Sequence, residues 1–322
     1  MEFNSDFLKK EVRCGFEIPV MMKRAWAAQM EILKIIDEIC KKNNLRYFAS
    51  YGTLLGAVRH KGYIPWDDDI DLGMLREDYM KLIKILPELL PPGFVVTGIH
   101  AEKPEYQTAE TWQLMVAADR DLWDINEYMK FFHGYPYKYV CVDIFPFDYV
   151  SNDEEEYKLQ KALIQKGSLI VKNWEVLKKA NVLEKYLNDY EAQTGVTLPR
   201  ENAKVEMLRL MDALARLNQS GEKVEVMLWE YILHYQADWF QNTVNMPFEN
   251  TEIPVPAEYD RVLRTVYGDY LQPVKGTAVH GYPFYKEMNE IFEQQLKDAD
   301  VPYTVEDFCE KVMNDEIHVD WV

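Results

Sequence analysis

The sequence predicts a mixed α/β (α+β) protein, in which a mixed sheet is flanked by helices and a mainly helical region is added. Three observations carry this expectation. Between Met21 and Cys40 apolar residues recur at helical spacing (Trp26, Met30, Leu33, Ile36, Ile39/Cys40), the pattern of an amphipathic helix packed behind a sheet. Residues 45–150 carry short runs with strand character. Residues 153–243 then switch to long, charged, helix-prone text with few prolines and glycines.

The elements follow in order. Asn43-Asn44 breaks the first helix, and Leu45 to Tyr51 reads as a short aromatic-rich strand. Gly52 closes it, and Thr53 is placed to N-cap a short helix through Arg59. Ile70 to Met74 reads as a second strand and Arg76-Glu77-Asp78-Tyr79 as a helix start. Strand signals recur at Phe94 to Ile99 and Trp112 to Ala118. From Val140, Val142 and Ile144 alternate with Cys141, Asp143 and Phe145, which sets Asp143 on the face opposite the valines; Asp148 falls at an expected turn. The helical zone is interrupted near Gly195 to Pro199, and Trp229, Trp239 and Phe240 read mainly as core aromatics at helical spacing. Pro247 to Pro256 reads as an irregular connection into a helix over Tyr259 to Tyr267. The division is a core over residues 1–150, a mainly helical region over 151–245, and a block over 246–322 that returns to the core.

The most informative stretch runs from Gly52 to Asp71. It sets four carboxylates (Asp67, Asp68, Asp69, Asp71) within five residues. Two ionised carboxylates about 6 Å apart repel by roughly 3 kcal/mol at an effective dielectric near 20. Such a run is stable when solvated or when a cation sits among the oxygens. Ile64, Pro65, Trp66, Ile70 and Leu72 argue against solvation, because they thread the acids through apolar material. Strand parity through Ile70 to Met74 puts Asp67, Asp69 and Asp71 on one face and leaves Asp68 over. Paired oxygen ligands on a rigid edge suit a hard divalent cation that also holds phosphate. Upstream, a helix N-terminus after Gly52 presents free N–H groups to a phosphate, with Arg59 as a bidentate clamp and Lys61 as a point charge.

The order strand, Gly-Thr turn, short helix, Asp-x-Asp strand resembles the nucleotidyltransferase superfamily. The wording GTLLGAVRHKGYIPWDDDIDLGMLREDY resembles the signature of the LicD phosphotransferase family, whose animal relatives include fukutin and fukutin-related protein. VDIFPFDYV, at Val142 to Val150, and FENTEIPVPAEYDRVLRTVYGDYLQP, followed by His280, are similar to its second and C-terminal blocks. The resemblance implies a nucleotidyltransferase-like fold and a third metal carboxylate at Asp143. Asp69, Asp71 and Asp143 are then the metal ligands, for Mg²⁺ or Mn²⁺, and Asp67 or Asp143 the candidate proton acceptor. Gly52, Thr53, Arg59, Lys61, Trp66 and His280 are the candidate phosphate and substrate contacts. The implied donor is a CDP-alcohol, CDP-choline in bacterial members. The implied acceptor is a sugar hydroxyl of a cell-surface polysaccharide (teichoic acid among them) or its lipid-linked oligosaccharide precursor, with CMP released. Trp66, Tyr135, Tyr137 and Tyr139 lie near the site in sequence and offer aromatic faces for choline. The alternatives are a nucleotidyltransferase that moves NMP and releases pyrophosphate, a metal-dependent phosphohydrolase, and a binding module that has kept the fold.

Composition bounds these readings. At 322 residues, 48% hydrophobic and 13% aromatic, the chain has ample core. A net charge of -18 disfavours a nucleic-acid footprint and broad docking on anionic lipid. The four cysteines are scattered, which fits a reducing compartment and no structural zinc. With no secretory signal and no apolar run of spanning length, the expectation is a cytoplasmic enzyme, with work beside the inner face of the membrane allowed.

Overall fold

The computed structural model describes residue 3 and residues 6–272 and 282–320. A hairpin, β1 (Glu11–Arg13) and β2 (Phe16–Ile18), precedes the long helix α1 (Val20–Lys42). Then come β3 (Phe48–Ala49), α2 (Tyr51–His60), β4 (Asp71–Leu75), α3 (Arg76–Leu89), β5 (Phe94–Thr97), β6 (Leu114–Asp119), α4 (Ile125–Phe131) and β7 (Tyr139–Tyr149). Four helices follow, α5 (Glu154–Lys172), α6 (Trp174–Lys179), α7 (Leu183–Thr194) and α8 (Ala203–Ala215). The chain continues through β8 (Lys223–Glu225), β9 (Tyr235–Gln236), β10 (Thr243–Phe248), β11 (Thr251–Pro256), α9 (Tyr259–Tyr267), α10 (Lys286–Asp298) and α11 (Val305–Met313).

Among the described residues the main sheet has seven strands in the order β3-β4-β7-β6-β5, with β8 and β9 added at the end of β7. β4 and β7 are parallel and the other pairs antiparallel, so the mixed α/β class holds. Helix α1 buries the expected stripe, with Trp26, Met30 and Ile36 fully covered, and Asn43 ends it.

Three local expectations are corrected. The strand expected over Leu45 to Tyr51 is only Phe48–Ala49, because side chains anchor the residues before it: Arg46 to Asp78 and the Tyr47 hydroxyl to Asp37 at 2.9 Å. The irregular connection at Pro247 to Pro256 is an antiparallel ribbon, β10–β11. A two-stranded ribbon has an outward side where proline loses no ladder bond. Asp148 is not at a turn but inside β7, fully buried, and its carboxylate accepts from the Arg76 guanidinium at 2.6 and 3.0 Å.

Arg76 also donates to Asp212 on α8 at 2.7 Å. One buried guanidinium therefore ties α3, β7 and the helical region together. Burial pushes the Asp148 carboxyl up to about 6 although Arg76 pulls the other way. The helices of the middle region end at Ala215, well before residue 243, so Trp229, Trp239 and Phe240 stand on loops and a short turn. Phe240 is core, beside Phe48 and Phe147. No helix among the described residues is long and apolar enough to cross a membrane.

Candidate metal and phosphate site

The parallel pairing of β4 with β7 makes Asp71 the in-register partner of Asp143. In-register neighbours project to the same face from strands about 4.8 Å apart. The Asp143 N–H donates to the Ile70 carbonyl at 3.1 Å, and the Gln113 side-chain amide donates to Asp143 Oδ1 at 3.2 Å. Pleat parity, however, begins only at Asp71, where β4 begins. Asp67 and Asp69 reach the site because the preceding loop curls, and Asp67, Asp68 and Asp69 bring carboxylate oxygens within 4.8 Å of one another. Asp68, expected to be surplus, is fully buried and accepts from the Phe284 N–H at 2.7 Å.

The curl is held by side chains distant in sequence. From α1, Trp26 Nε1 donates to the Asp67 carbonyl at 3.1 Å and Gln29 Nε2 to the Asp68 carbonyl at 2.9 Å. Tyr63 donates its hydroxyl to Gln29 at 3.0 Å. Glu249, at the β10–β11 turn, accepts from Arg13 at 2.6 and 2.9 Å and from the Tyr63 N–H at 3.0 Å. None of these contacts has a local sequence signal.

Helix α2 carries the candidate phosphate contacts. Its N-cap position is Ser50, not Thr53 as expected. Thr53 is buried one turn later, and its hydroxyl accepts from the Asp71 N–H at 2.8 Å, while the Ser50 N–H donates to the Asp71 carbonyl at 2.9 Å. The first turn of α2 is thus stitched to the first residue of β4. Tyr51 holds a left-handed φ of 45°, which costs of order 1–3 kcal/mol for a non-glycine residue. It is wedged there by Trp229, stacked at 4.2 Å, and by Phe145 at 5.5 Å. Gly52 follows, and a Cβ there would meet Asp67 Oδ2 at 2.4 Å. The opening N–H groups of a helix have no partners within it, and those of α2 lie beside Asp67.

The electrostatics record crowding. Burial, then the Asp69 and Asp68 charges, push the Asp67 carboxyl up to about 8. Burial and the charges of Asp69, Asp143 and Asp67 raise Asp71 well above the carboxylate range. Tyr267, at the end of α9, is raised by burial and by Asp71, Asp67 and Asp69; it also lies in the field of Arg59. The sequence reading missed Tyr267, although it sits in the C-terminal block.

The basic triplet lies at the other end of α2, about 10 Å along the axis from Gly52. Arg59 donates to the Tyr270 carbonyl at 2.8 Å and to His60 Nε2 at 2.9 Å. Burial, with Arg59 and Arg13 adding to it, pushes His60 down to about 4, so its ring is a neutral acceptor at pH 7. Lys61 is an exposed left-handed C-cap at φ 57°. Trp66 is half-buried between Phe16 and His60, with centroids at 6.2 and 6.3 Å. Tyr135 and Tyr137 are core, the latter stacked on Tyr285, and Tyr139 opens β7 four residues before Asp143. His280 lies outside the described residues.

Comparison with known proteins agrees with this geometry. Residues 44–162 match the family model described as LicD/FKTN/FKRP, nucleotidyltransferase domain. The chain is 46% identical over 67 residues to the Rickettsia prowazekii protein RP689, covering 21% of this chain and 25% of that one. It is 43% identical over 56 residues to the lipopolysaccharide cholinephosphotransferase LicD of Haemophilus influenzae (17% and 21%). It is 41% identical over 51 residues to the ribitol 5-phosphate transferase FKRP of Homo sapiens (16% and 10%). These matches span a quarter or less of the relatives' own length. Residues 44–162 thus form a segment similar to the LicD/FKTN/FKRP nucleotidyltransferase domain.

Proposed function

We propose that this protein is a metal-dependent phosphotransferase. It moves a phospho-alcohol group from a CDP-alcohol, phosphocholine from CDP-choline, onto a sugar hydroxyl of a cell-surface glycan or its lipid-linked precursor, and releases CMP. The observation that carries the reading is the facing pair Asp71 and Asp143 on parallel strands, set beside Asp67, Asp69 and the glycine-led start of α2.

The donor set fits a hard divalent cation. It is all oxygen, and the mutual charge that raises Asp67 and Asp71 is relieved by a cation. Asp69, Asp71 and Asp143 would hold Mg²⁺ or Mn²⁺. Such an ion neutralises charge on the phosphoryl oxygens during transfer. The chain supplies the rest. N–H groups of Gly52 and Thr53 hold phosphate, and Thr53 fixes Asp71 relative to them. Asp67, whose oxygen lies against Gly52, or Asp143 accepts the proton of the attacking hydroxyl. Tyr267 lies in the field of the acids, and Arg59 in that of Tyr267.

The test is to incubate the protein with a panel of CDP-alcohols, Mg²⁺ and a glycan acceptor, following CMP release and glycan mass. Transfer should require both acceptor and metal, and Asp71→Asn should abolish it. Activity in EDTA would overturn the metal mechanism. Pyrophosphate release from a nucleoside triphosphate, with no CMP from CDP-alcohols, would favour nucleotidyl transfer instead.

A further inference from the structure

A chain of net charge -18 has carboxylates to spare, yet it leaves a cationic corner uncompensated. Arg13 and Arg76 are each neutralised by two carboxylates, Glu11 with Glu249 and Asp148 with Asp212. Arg59 is half-buried, and among the described residues it pairs with none. Its Nε donates to His60 Nε2 at 2.9 Å and its Nη1 to the Tyr270 carbonyl at 2.8 Å, both uncharged acceptors. Burial lowers the Arg59 pKa, and the groups that oppose burial are the Cys14 thiol and the Tyr267 phenol rather than an acid. Lys61, two residues on, is exposed and also has no carboxylate partner among the described residues.

The carbonyl end of α2 attracts cations, which accounts for part of their presence there. It does not neutralise a guanidinium taken half out of water, whereas a bound anion does. The donor does not supply that anion. Phosphate held at Gly52 lies about 10 Å away along the helix axis. The two phosphates of a CDP-alcohol share one bridging oxygen, so both stay with Gly52 and the acids, and neither the nucleoside nor the alcohol brings a further negative group. The guanidinium is held at the far end by His60 and the Tyr270 carbonyl. Trp66 joins the two ends. It precedes Asp67 in the chain, and its half-buried ring lies beside His60, with centroids at 6.3 Å. A molecule laid along Trp66 with a hydroxyl at Asp67 brings its other end to the cationic corner.

The chemistry of the corner selects its guest. Nη2 of Arg59 makes none of the described hydrogen bonds, and a planar guanidinium fork pairs with phosphate or carboxylate oxygens. Lys61 adds a point charge beside it. We propose that Arg59 and Lys61, with His60 orienting the guanidinium, form an anion subsite for the acceptor, and that the acceptor bears an oxyanion group about 10 Å from the hydroxyl that attacks. The inference rests on the reading of the site as one that takes a CDP-alcohol, and it moves Arg59 and Lys61 from the donor to the acceptor.

NMR titration of the whole chain, loaded with CMP and Mg²⁺, tests it with glucose 6-phosphate, glucuronate and glucose as probes. The Arg59 Nε–H signal should move saturably with the two anions and stay still with glucose, while CMP remains bound. Arg59→Gln and Lys61→Asn should each weaken glucose 6-phosphate by about tenfold, the size of a lost charge-assisted contact, and leave CMP affinity within about twofold. Asparagine suits the left-handed backbone at position 61, so Lys61→Asn gives the same readout should Arg59→Gln misfold. Four results would overturn this inference and leave the proposed function standing: displacement of CMP by glucose 6-phosphate, a loss of CMP affinity in Arg59→Gln of about tenfold, a response to glucose equal to that of the anions, or anion binding that is absent or unchanged in both variants. Failure of the wild-type protein to bind either CMP or CDP-choline in Mg²⁺ would overturn the proposed function and this inference together.

Discussion

Replacing Asp71 by Asn should stabilise the metal-free protein while removing its response to metal. Asp71 faces Asp143 across β4 and β7, with Asp67 and Asp69 beside it. Taking the paired carboxylates to be about 5 Å apart, each neighbouring charge costs of order 3 kcal/mol at an effective dielectric near 20. Shared protons and solvent reduce the sum, and the expected gain in EDTA is about 1–3 kcal/mol at pH 8.5. The sign with pH follows from Asp67. Its folded pKa, about 8, lies above the ordinary 3.8, so the folded state holds a proton that the unfolded chain has lost. The contribution of Asp67 to the stability of the metal-free wild type is therefore full below about pH 4 and is lost as pH rises toward 8. The advantage of Asp71→Asn should accordingly be larger at pH 8.5 than at pH 6. Thermal unfolding in EDTA and in excess Mg²⁺ at both pH values reads all of this. Mg²⁺ should raise the midpoint of the wild type by several degrees and that of the variant by much less. A variant no more stable than wild type in EDTA at pH 8.5, or one stabilised equally by Mg²⁺, would refute the reasoning.

Three further outcomes are expected. Arg76→Met should cost about 3–5 kcal/mol in urea unfolding, since it strands Asp148 and Asp212 as buried charges, and the triple change with Asp148→Asn and Asp212→Asn should recover much of it. Gly52→Ala should leave the melting temperature nearly unchanged, because the added Cβ meets only the end of the Asp67 side chain, yet it should weaken CMP binding by about tenfold as that carboxylate is displaced. Thr53→Val should cost about 1–3 kcal/mol by orphaning the Asp71 N–H, and Thr53→Ser should restore it.

Much of this site was legible because its parts are local. The stripe of α1, the alternation at Asp143 and the clustering of acids are written in neighbouring residues, whereas Asp143 was joined to the acids only by the family resemblance, since the pairing of β4 with β7 has no local signal. What was not legible depends on pairing at long range. Gln29 and Glu249 are ordinary polar residues by sequence, and only the fold brings them to the acid loop. Asp148 looked like a turn residue because its partner Arg76 lies 72 positions away. Trp229 packs against the core as expected, but on a loop set by Lys161, 68 positions distant, rather than on a helix. Thr53 misled in another way. A threonine after a glycine suits an N-cap, but the neighbouring β4 edge offered its hydroxyl a better partner.

The network around the acid loop also bears on when the site comes into being. Trp26 and Gln29 precede the loop, whereas Glu249 and Phe284 leave the ribosome more than 150 residues after it. A nascent chain synthesised as far as residue 162 has its acids and the contacts from α1, but not those from Glu249 and Phe284. At about 5–20 residues per second, synthesis from residue 162 to Phe284 takes roughly 6–24 seconds. The excised domain should bind divalent metal more weakly than the whole chain, and competence should arrive late in synthesis, with the closing of the C-terminal block.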